Sequence, residues 1–197
     1  LIAVSLITVI LVSQFNSIVK PLIIMASVLF STIGVIGGLA TFKMDFVVIM
    51  TGIGIVSLAG VVVNNAIVLI DYIDLLKKGR RKELGLGEKA LLSKEDAMAC
   101  VDEAGKTRLR PVLLTAITTI LGLLPMAIGL NINFETLLTD LDAQIYFGGD
   151  NMVFWGALSW TVIFGLTFAT FLTLVIVPSM YHFAYLVKLR FSKVKGS

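Results

Sequence analysis

Four stretches of this chain are apolar for long enough to cross a bilayer: Pro21–Phe42, Phe46–Ile73, Pro111–Leu130 and Met152–Val187. At a rise of about 1.5 Å per residue, a helix of some twenty apolar residues crosses a hydrocarbon core of about 30 Å. A fifth run, Leu1–Phe15, is apolar throughout and slightly short for a full span. The 197 residues are 57% hydrophobic and 15% charged, where a soluble domain carries about a quarter charged residues. The expected fold class is an all-α membrane protein with five transmembrane helices, about 1–15, 21–42, 46–73, 111–130 and 152–187.

The chain opens on Leu1, within an apolar run, and so reads as a piece that begins inside a helix. The core of a secretory signal would look similar. It would need a basic segment before it and a small-residue cleavage site, and Ser13-Gln14-Phe15-Asn16 is a poor one. The single cysteine, Cys100, leaves no internal disulfide and no CxxC metal motif. The single histidine, His182, has no metal-binding companion and reads as an ordinary residue near the end of the last span.

Mapping the charges orients the spans. Ten of the 16 Lys and Arg lie between Lys77 and Arg110, and four more, Lys188, Arg190, Lys193 and Lys195, are in the tail. The stretch 131–151 has none but carries Glu135, Asp140, Asp142 and Asp150. The positive-inside rule then puts the linker 74–110 and the basic tail 188–197 in the cytoplasm, with loop 131–151 outside. Lys43 alone goes against the rule, with Asp45 close by. No aromatic interleaving accompanies the basic clusters, so they read as topology signals and not as a nucleic-acid surface.

Within the spans, small residues recur at helical spacing: Ser31, Gly34, Gly37 and Gly38 in the second, and Gly54, Ser57 and Gly60 in the third, ahead of Asn64. Such residues let helices approach closely. Pro21 and Pro111 fall at the cytoplasmic starts of their spans, where a missing N–H is cheap. In the linker, Lys77–Gly87 is charged and glycine-punctuated and reads as a loop. Ser93-Lys-Glu-Asp96 matches a capping box. Ala97, Val101 and Ala104 then share one face of a short amphipathic helix over about 94–104, ended by Gly105 and expected to lie along the inner membrane surface as a connector. The outer segment reads as a loop with a helical turn at 134–141, and Trp155 and Trp160 begin the last span as an aromatic belt would.

Polar residues inside spans are costly and face a partner helix or a wet cavity. Asn64 and Asn65 sit together near the middle of the third run. Asp71 is two turns from Asn64 on the same face, though a wetted helix end explains it equally well. Thr115, Thr118 and Thr119 lie within a turn or so of one another in the fourth span, where threonine commonly bonds back to a carbonyl one turn earlier. Arg108 and Arg110 flank its start and can snorkel to the interface or reach a buried carboxylate. No nucleophile–base pair, metal constellation or GxxxxGK[ST] loop is present in the sequence. The residues therefore point to a transporter, with a channel or an assembly subunit as alternatives, and not to an enzyme or a cofactor protein.

Four segments, in this order, carry a resemblance: Gly60-Val-Val-Val-Asn-Asn-Ala-Ile-Val-Leu-Ile-Asp-Tyr72, Arg108-Leu-Arg-Pro-Val-Leu-Leu-Thr115, Ile120-Leu-Gly-Leu-Leu-Pro-Met-Ala-Ile-Gly129 and Thr173-Leu-Val-Ile-Val-Pro-Ser-Met-Tyr181. Together they resemble the resistance–nodulation–division (RND) efflux transporters, in the hydrophobe/amphiphile efflux branch, over essentially the whole chain. The resemblance implies the C-terminal part of a twelve-helix permease bundle, helices eight to twelve, from a protein about five times longer. It implies a homotrimer in the inner membrane of a Gram-negative bacterium, exporting drugs or other amphiphiles in exchange for protons. A periplasmic adaptor and an outer-membrane channel would be its partners.

By the same resemblance Asn65, Arg108 and Thr115 match positions of the family's ion-coupling relay, whose paired aspartates belong to the fourth helix, upstream of this chain. At Asn64 the chain departs, because drug-exporting members typically carry a lysine there. An amide supplies no positive charge and releases no proton near neutral pH. Three couplings stay open: Arg108 supplying the charge while Asn64 and Asn65 hydrogen-bond the carboxylates, a bound cation such as Na⁺, or a silent relay. A permease for lipids or envelope components and a non-transporting structural half are the alternative functions.

Overall fold

The structure, a computed structural model, describes residues 2–15, 17–87, 90–132 and 144–194. Five helices and two short strands follow one another among the described residues: α1 (Ile2–Phe15), α2 (Val19–Thr41), α3 (Val48–Glu83), α4 (Lys94–Ala127), β1 (Leu130–Ile132), β2 (Ile145–Phe147) and α5 (Asp150–Val194). Among the described residues, four helices are long and apolar enough to cross a membrane: α2, α3, α4 and, within α5, Met152–Val187. With 14 residues α1 falls short of that length. The helical turn expected at 134–141 lies outside the described residues.

Two features differ from the sequence reading. The charged stretch from Lys77, expected as a loop, continues α3 to Glu83. Lys, Arg and Glu are good helix formers, and Arg80, Arg81 and Lys82 fall in the last turn, where cations suit the dipole. The helix stops when Gly85 takes φ +65° and the Leu86 N–H reaches back to the Arg81 carbonyl at 2.9 Å. The connector helix expected over 94–104 and the span expected from Pro111 are one continuous helix, α4. A Cβ at Gly105 would meet nothing within 4 Å, and nothing there forces the helix to end. Its start is as expected: the Asp96 N–H donates to Ser93 Oγ at 3.0 Å, and that hydroxyl donates to Asp96 Oδ2 at 2.7 Å.

The chain divides into two compact units, Leu1–Phe30, Val61–Leu113 and Ala169–Ser197 in the first, Ser31–Gly60 and Leu114–Phe168 in the second. In the first unit, Leu11, Ile24, Leu69, Ile70, Ile73 and Val177 form a core with Val101, Ala104 and Tyr181. Ala97, Val101 and Ala104 are therefore buried in protein, and that face of α4 does not lie on the membrane surface. Asp74 accepts from Lys20 Nζ and, at 2.8 Å, from the Tyr181 hydroxyl. Lys77, buried, sits 4.4 Å from the Tyr181 ring centre and 3.9 Å from that of Tyr185. Three helices are thereby joined by polar groups that satisfy one another.

The second unit is built on close approach. A Cβ at Gly34 would stand 2.5 Å from Phe168, one at Gly38 2.5 Å from Phe164, and one at Gly54 2.8 Å from Thr161. The two phenylalanines, four residues apart on α5, thus seat on two glycines four apart on α2, the small-residue packing of membrane helices. Gly37 and Gly60 meet nothing within 4 Å and take no part. The segment between α4 and α5 is closed at its base by strands: Leu130 pairs Phe147, Asn131 pairs Tyr146 and Ile132 pairs Ile145, antiparallel. Gly129, Gly148 and Gly149, at φ +70°, +99° and +92°, make the bends that bring these ends together.

Candidate ion-coupling site

Along the part of α3 in the first unit, burial alternates between two stripes. Val62, Ala66, Leu69, Ile70 and Ile73 are buried in the chain's own core. Asn64, Val68, Asp71 and Leu75, spaced by four, three and four residues, are exposed. Residues at such spacings share a face, so the amide of Asn64 and the carboxylate of Asp71 form one polar stripe turned away from that core. Asn65, one step round the helix, is half-buried.

Arg108 belongs to the same unit, on α4. Its guanidinium carbon lies 4.4 Å from the ring centre of Tyr72, the residue after Asp71. The ring face attracts the cation, and its N–H groups are left for an acceptor. One of them, Nε, is buried with no hydrogen-bond partner among the described residues. The pairing of Arg108 with Tyr72 was not legible beforehand, since 36 positions separate the two residues and an aromatic beside an acid in a span carries no signal of its own.

Thr115, Thr118 and Thr119 belong to the second unit. The Thr118 hydroxyl donates to the Leu114 carbonyl at 2.8 Å and the Thr115 carbonyl at 3.1 Å, and that of Thr119 donates to the Thr115 carbonyl at 2.8 Å. Both hydroxyls are thus held against α4 and offer their lone pairs outward as acceptors. Among the described residues, no group of three His, Cys, Asp or Glu is placed to hold a metal ion. The first-unit stripe offers amide donors and acceptors and one carboxylate, and Arg108, held on Tyr72, is a cation of the same unit.

The sequence profile of the AcrB/AcrD/AcrF family matches residues 1–132, and the chain belongs to that family, within the RND efflux transporters. It is 36% identical over 180 residues to the swarming motility protein SwrC of Bacillus subtilis (strain 168), covering 91% of this chain and 14% of that protein. To the multidrug resistance protein MdtC of Salmonella paratyphi A it is 27% identical over 192 residues, 97% of this chain and 16% of the relative. Among solved structures, a heavy metal efflux pump superposes with a TM-score of 0.67 at 28% identity, over 95% of this chain and 15% of the pump. The chain thus spans about a seventh of the length of the proteins it matches.

Proposed function

We propose that this chain is the membrane-embedded, energy-coupling part of an RND-type inner-membrane exporter, driven by the proton gradient and moving drugs or other amphiphiles outward. The observation that carries the proposal is the stripe of Asn64 and Asp71, polar and turned away from the chain's own core, together with Arg108, which sits on Tyr72 and has a buried donor with no partner among the described residues. In a protein several times longer, the part of that stripe from Asn64 to Asp71 faces helices from the remainder, and Leu75 lies a turn beyond it. An unsatisfied buried donor costs about 1–3 kcal/mol, which a carboxylate on a facing helix would recover.

The coupling follows from the chemistry of these groups. Arg108 supplies the positive charge that the family's lysine would bring at position 64. Asn64 and Asn65 donate their amide N–H groups to ionised carboxylates, and they accept through the amide oxygen when a carboxyl takes up a proton. The amides thus serve both protonation states, while the attraction of Arg108 is strong in one and weak in the other. Thr115 completes the relay, with Asp71, Thr118 and Thr119 as further polar stations.

By the positive-inside rule the linker 74–110 and the C-terminus are cytoplasmic. The whole protein works as a homotrimer with a periplasmic adaptor and an outer-membrane channel. The names of the relatives, a multidrug resistance protein and a heavy metal efflux pump, support outward transport.

The test is export by the full-length protein in vesicles under imposed ΔpH or ΔNa⁺, for wild type, Asn65→Ala and Arg108→Ala. The proposal expects export driven by ΔpH and lost in Arg108→Ala. Export driven by ΔNa⁺ alone moves the assignment to a cation bound by amide and carboxylate oxygens. Unchanged export in both variants removes the relay roles.

A further inference from the structure

Past its apolar part, α3 forms with the start of α4 a cavity of about 1110 Å³, entirely within the first unit. Lys78, Arg80, Arg81 and Lys82 stand in its wall, with Glu83, Asp96 and Glu103 as the acids facing them. Two of those acids are spent on one cation, because Arg80 binds Glu83 at 3.0 Å and Asp96 at 3.0 Å. Arg81 donates its Nε to the Ala90 carbonyl at 2.9 Å, which orients the guanidinium and leaves its terminal nitrogens. Lys78 and Lys82, four residues apart on one face, are in no ion pair among the described residues. Among the described residues, the wall therefore holds three cations against one remaining acid, Glu103.

Two further observations point to what fills this space. Gly79 lines the cavity between these lysines, and a Cβ there would meet nothing within 4 Å. Glycine inside a helix is unfavourable relative to alanine, and no neighbour demands it here, so its effect is to keep the cavity floor open down to the helix backbone. On the membrane side, Leu75, 60% exposed, lies one turn before Lys78 and Gly79 and also lines the cavity. Cations meeting apolar surface at the end of a span are what a lipid headgroup with its acyl chain requires, and basic pockets between membrane helices take anionic headgroups.

We propose that this cavity binds the phosphodiester headgroup of one anionic phospholipid, held by Lys78, Arg81 and Lys82, with an acyl chain along Leu75. The cytoplasmic leaflet is assigned from the charge-based orientation, whereas binding itself does not depend on it.

The test uses the full-length protein, delipidated in detergent and titrated with phosphatidylglycerol, phosphatidylcholine or inorganic phosphate, with bound lipid counted by native mass spectrometry. Expected is one saturable phosphatidylglycerol per protomer, which phosphatidylcholine does not replace. With about 1 kcal/mol per basic residue near the surface, Lys78→Gln weakens binding about fivefold and Lys78→Gln with Lys82→Gln about 30-fold. Gly79→Leu, which fills the floor and keeps every charge, weakens it as well, and Lys106→Gln, outside the cavity, leaves it unchanged. Equal binding of phosphatidylcholine, or a double lysine variant and Gly79→Leu that both bind as wild type does, overturns the proposal. Displacement of the lipid by inorganic phosphate at equal concentration overturns the lipid assignment in favour of a soluble anion.

Discussion

Adjacent glycines on α2 should respond in opposite directions to the same substitution. At Gly38 an alanine Cβ would stand 2.5–2.8 Å from the Cβ and ring of Phe164. That ring has little room to yield. It stacks on Phe42 at 5.0 Å and on Trp160 at 5.2 Å, and Trp160 is pinned by its Nε1–H to the Ala127 carbonyl at 2.9 Å. Overpacking of this kind costs about 1–3 kcal/mol, and each disturbed aromatic pair about 0.5–1.5 kcal/mol more. Alanine recovers roughly 1 kcal/mol of helix propensity over glycine, so with both aromatic pairs disturbed Gly38→Ala is destabilised by about 1–5 kcal/mol. At Gly37 the new methyl meets nothing within 4 Å, and only the propensity gain remains, up to about 1 kcal/mol of stabilisation. Thermal inactivation of the two full-length variants in the same detergent reads the difference: Gly38→Ala below wild type, Gly37→Ala at or above it. Shifts of the same sign and size in both would refute the assignment of Phe164 to the Gly38 seat.

Other expectations follow from the first unit. Ser93→Ala removes the N-cap of α4 and costs about 1 kcal/mol, measured as faster hydrogen exchange of the Asp96 and Ala97 amides with little change beyond the second turn. The Ser93 hydroxyl and then Arg80 hold the Asp96 carboxyl below its ordinary pKa. A lowered acid stabilises above its unfolded pKa, so protection of that turn should persist at neutral pH and fall as pH drops from about 4 downward. Asp74→Ala leaves Lys20 and the Tyr181 hydroxyl without their shared acceptor and should destabilise by about 1–3 kcal/mol. Asp74→Asn, which retains an acceptor, should cost less in the same inactivation assay. Tyr72→Leu removes the stacking surface of Arg108, worth about 0.5–2 kcal/mol. It should reduce driven export while Tyr72→Phe, which keeps the ring face, preserves it.

Much of the scaffold was legible in the sequence, because run length and small-residue spacing depend on local composition. The spans of α2 to α5, the capping box at Ser93 and the close packing at Gly34, Gly38 and Gly54 were all read there. Spacing does not say which side a neighbour occupies, and so Gly37 and Gly60 looked the same as the glycines that touch something. Charge density misled at Lys77–Gly87: a lysine buried between two tyrosines reads as a solvated one until Tyr181 and Tyr185, more than a hundred residues on, are seen to close over it. Gly105 looked like a stop, yet a glycine with helix formers on both sides costs only about 1 kcal/mol, and α4 runs through it. At the candidate site, the shared face of Asn64 and Asp71 followed from helical periodicity. The seat of Arg108 on Tyr72 is a tertiary contact between α4 and α3 that spacing along either helix does not encode.

Export coupled to proton uptake, measured on the full-length protein in vesicles under an imposed ΔpH, shows whether Arg108 carries the charge that position 64 lacks when wild type is compared with Arg108→Gln. Arg108→Gln is expected to bind substrate normally and to lose both driven export and the accompanying proton flux. Full proton-coupled export by Arg108→Gln would overturn that role for Arg108.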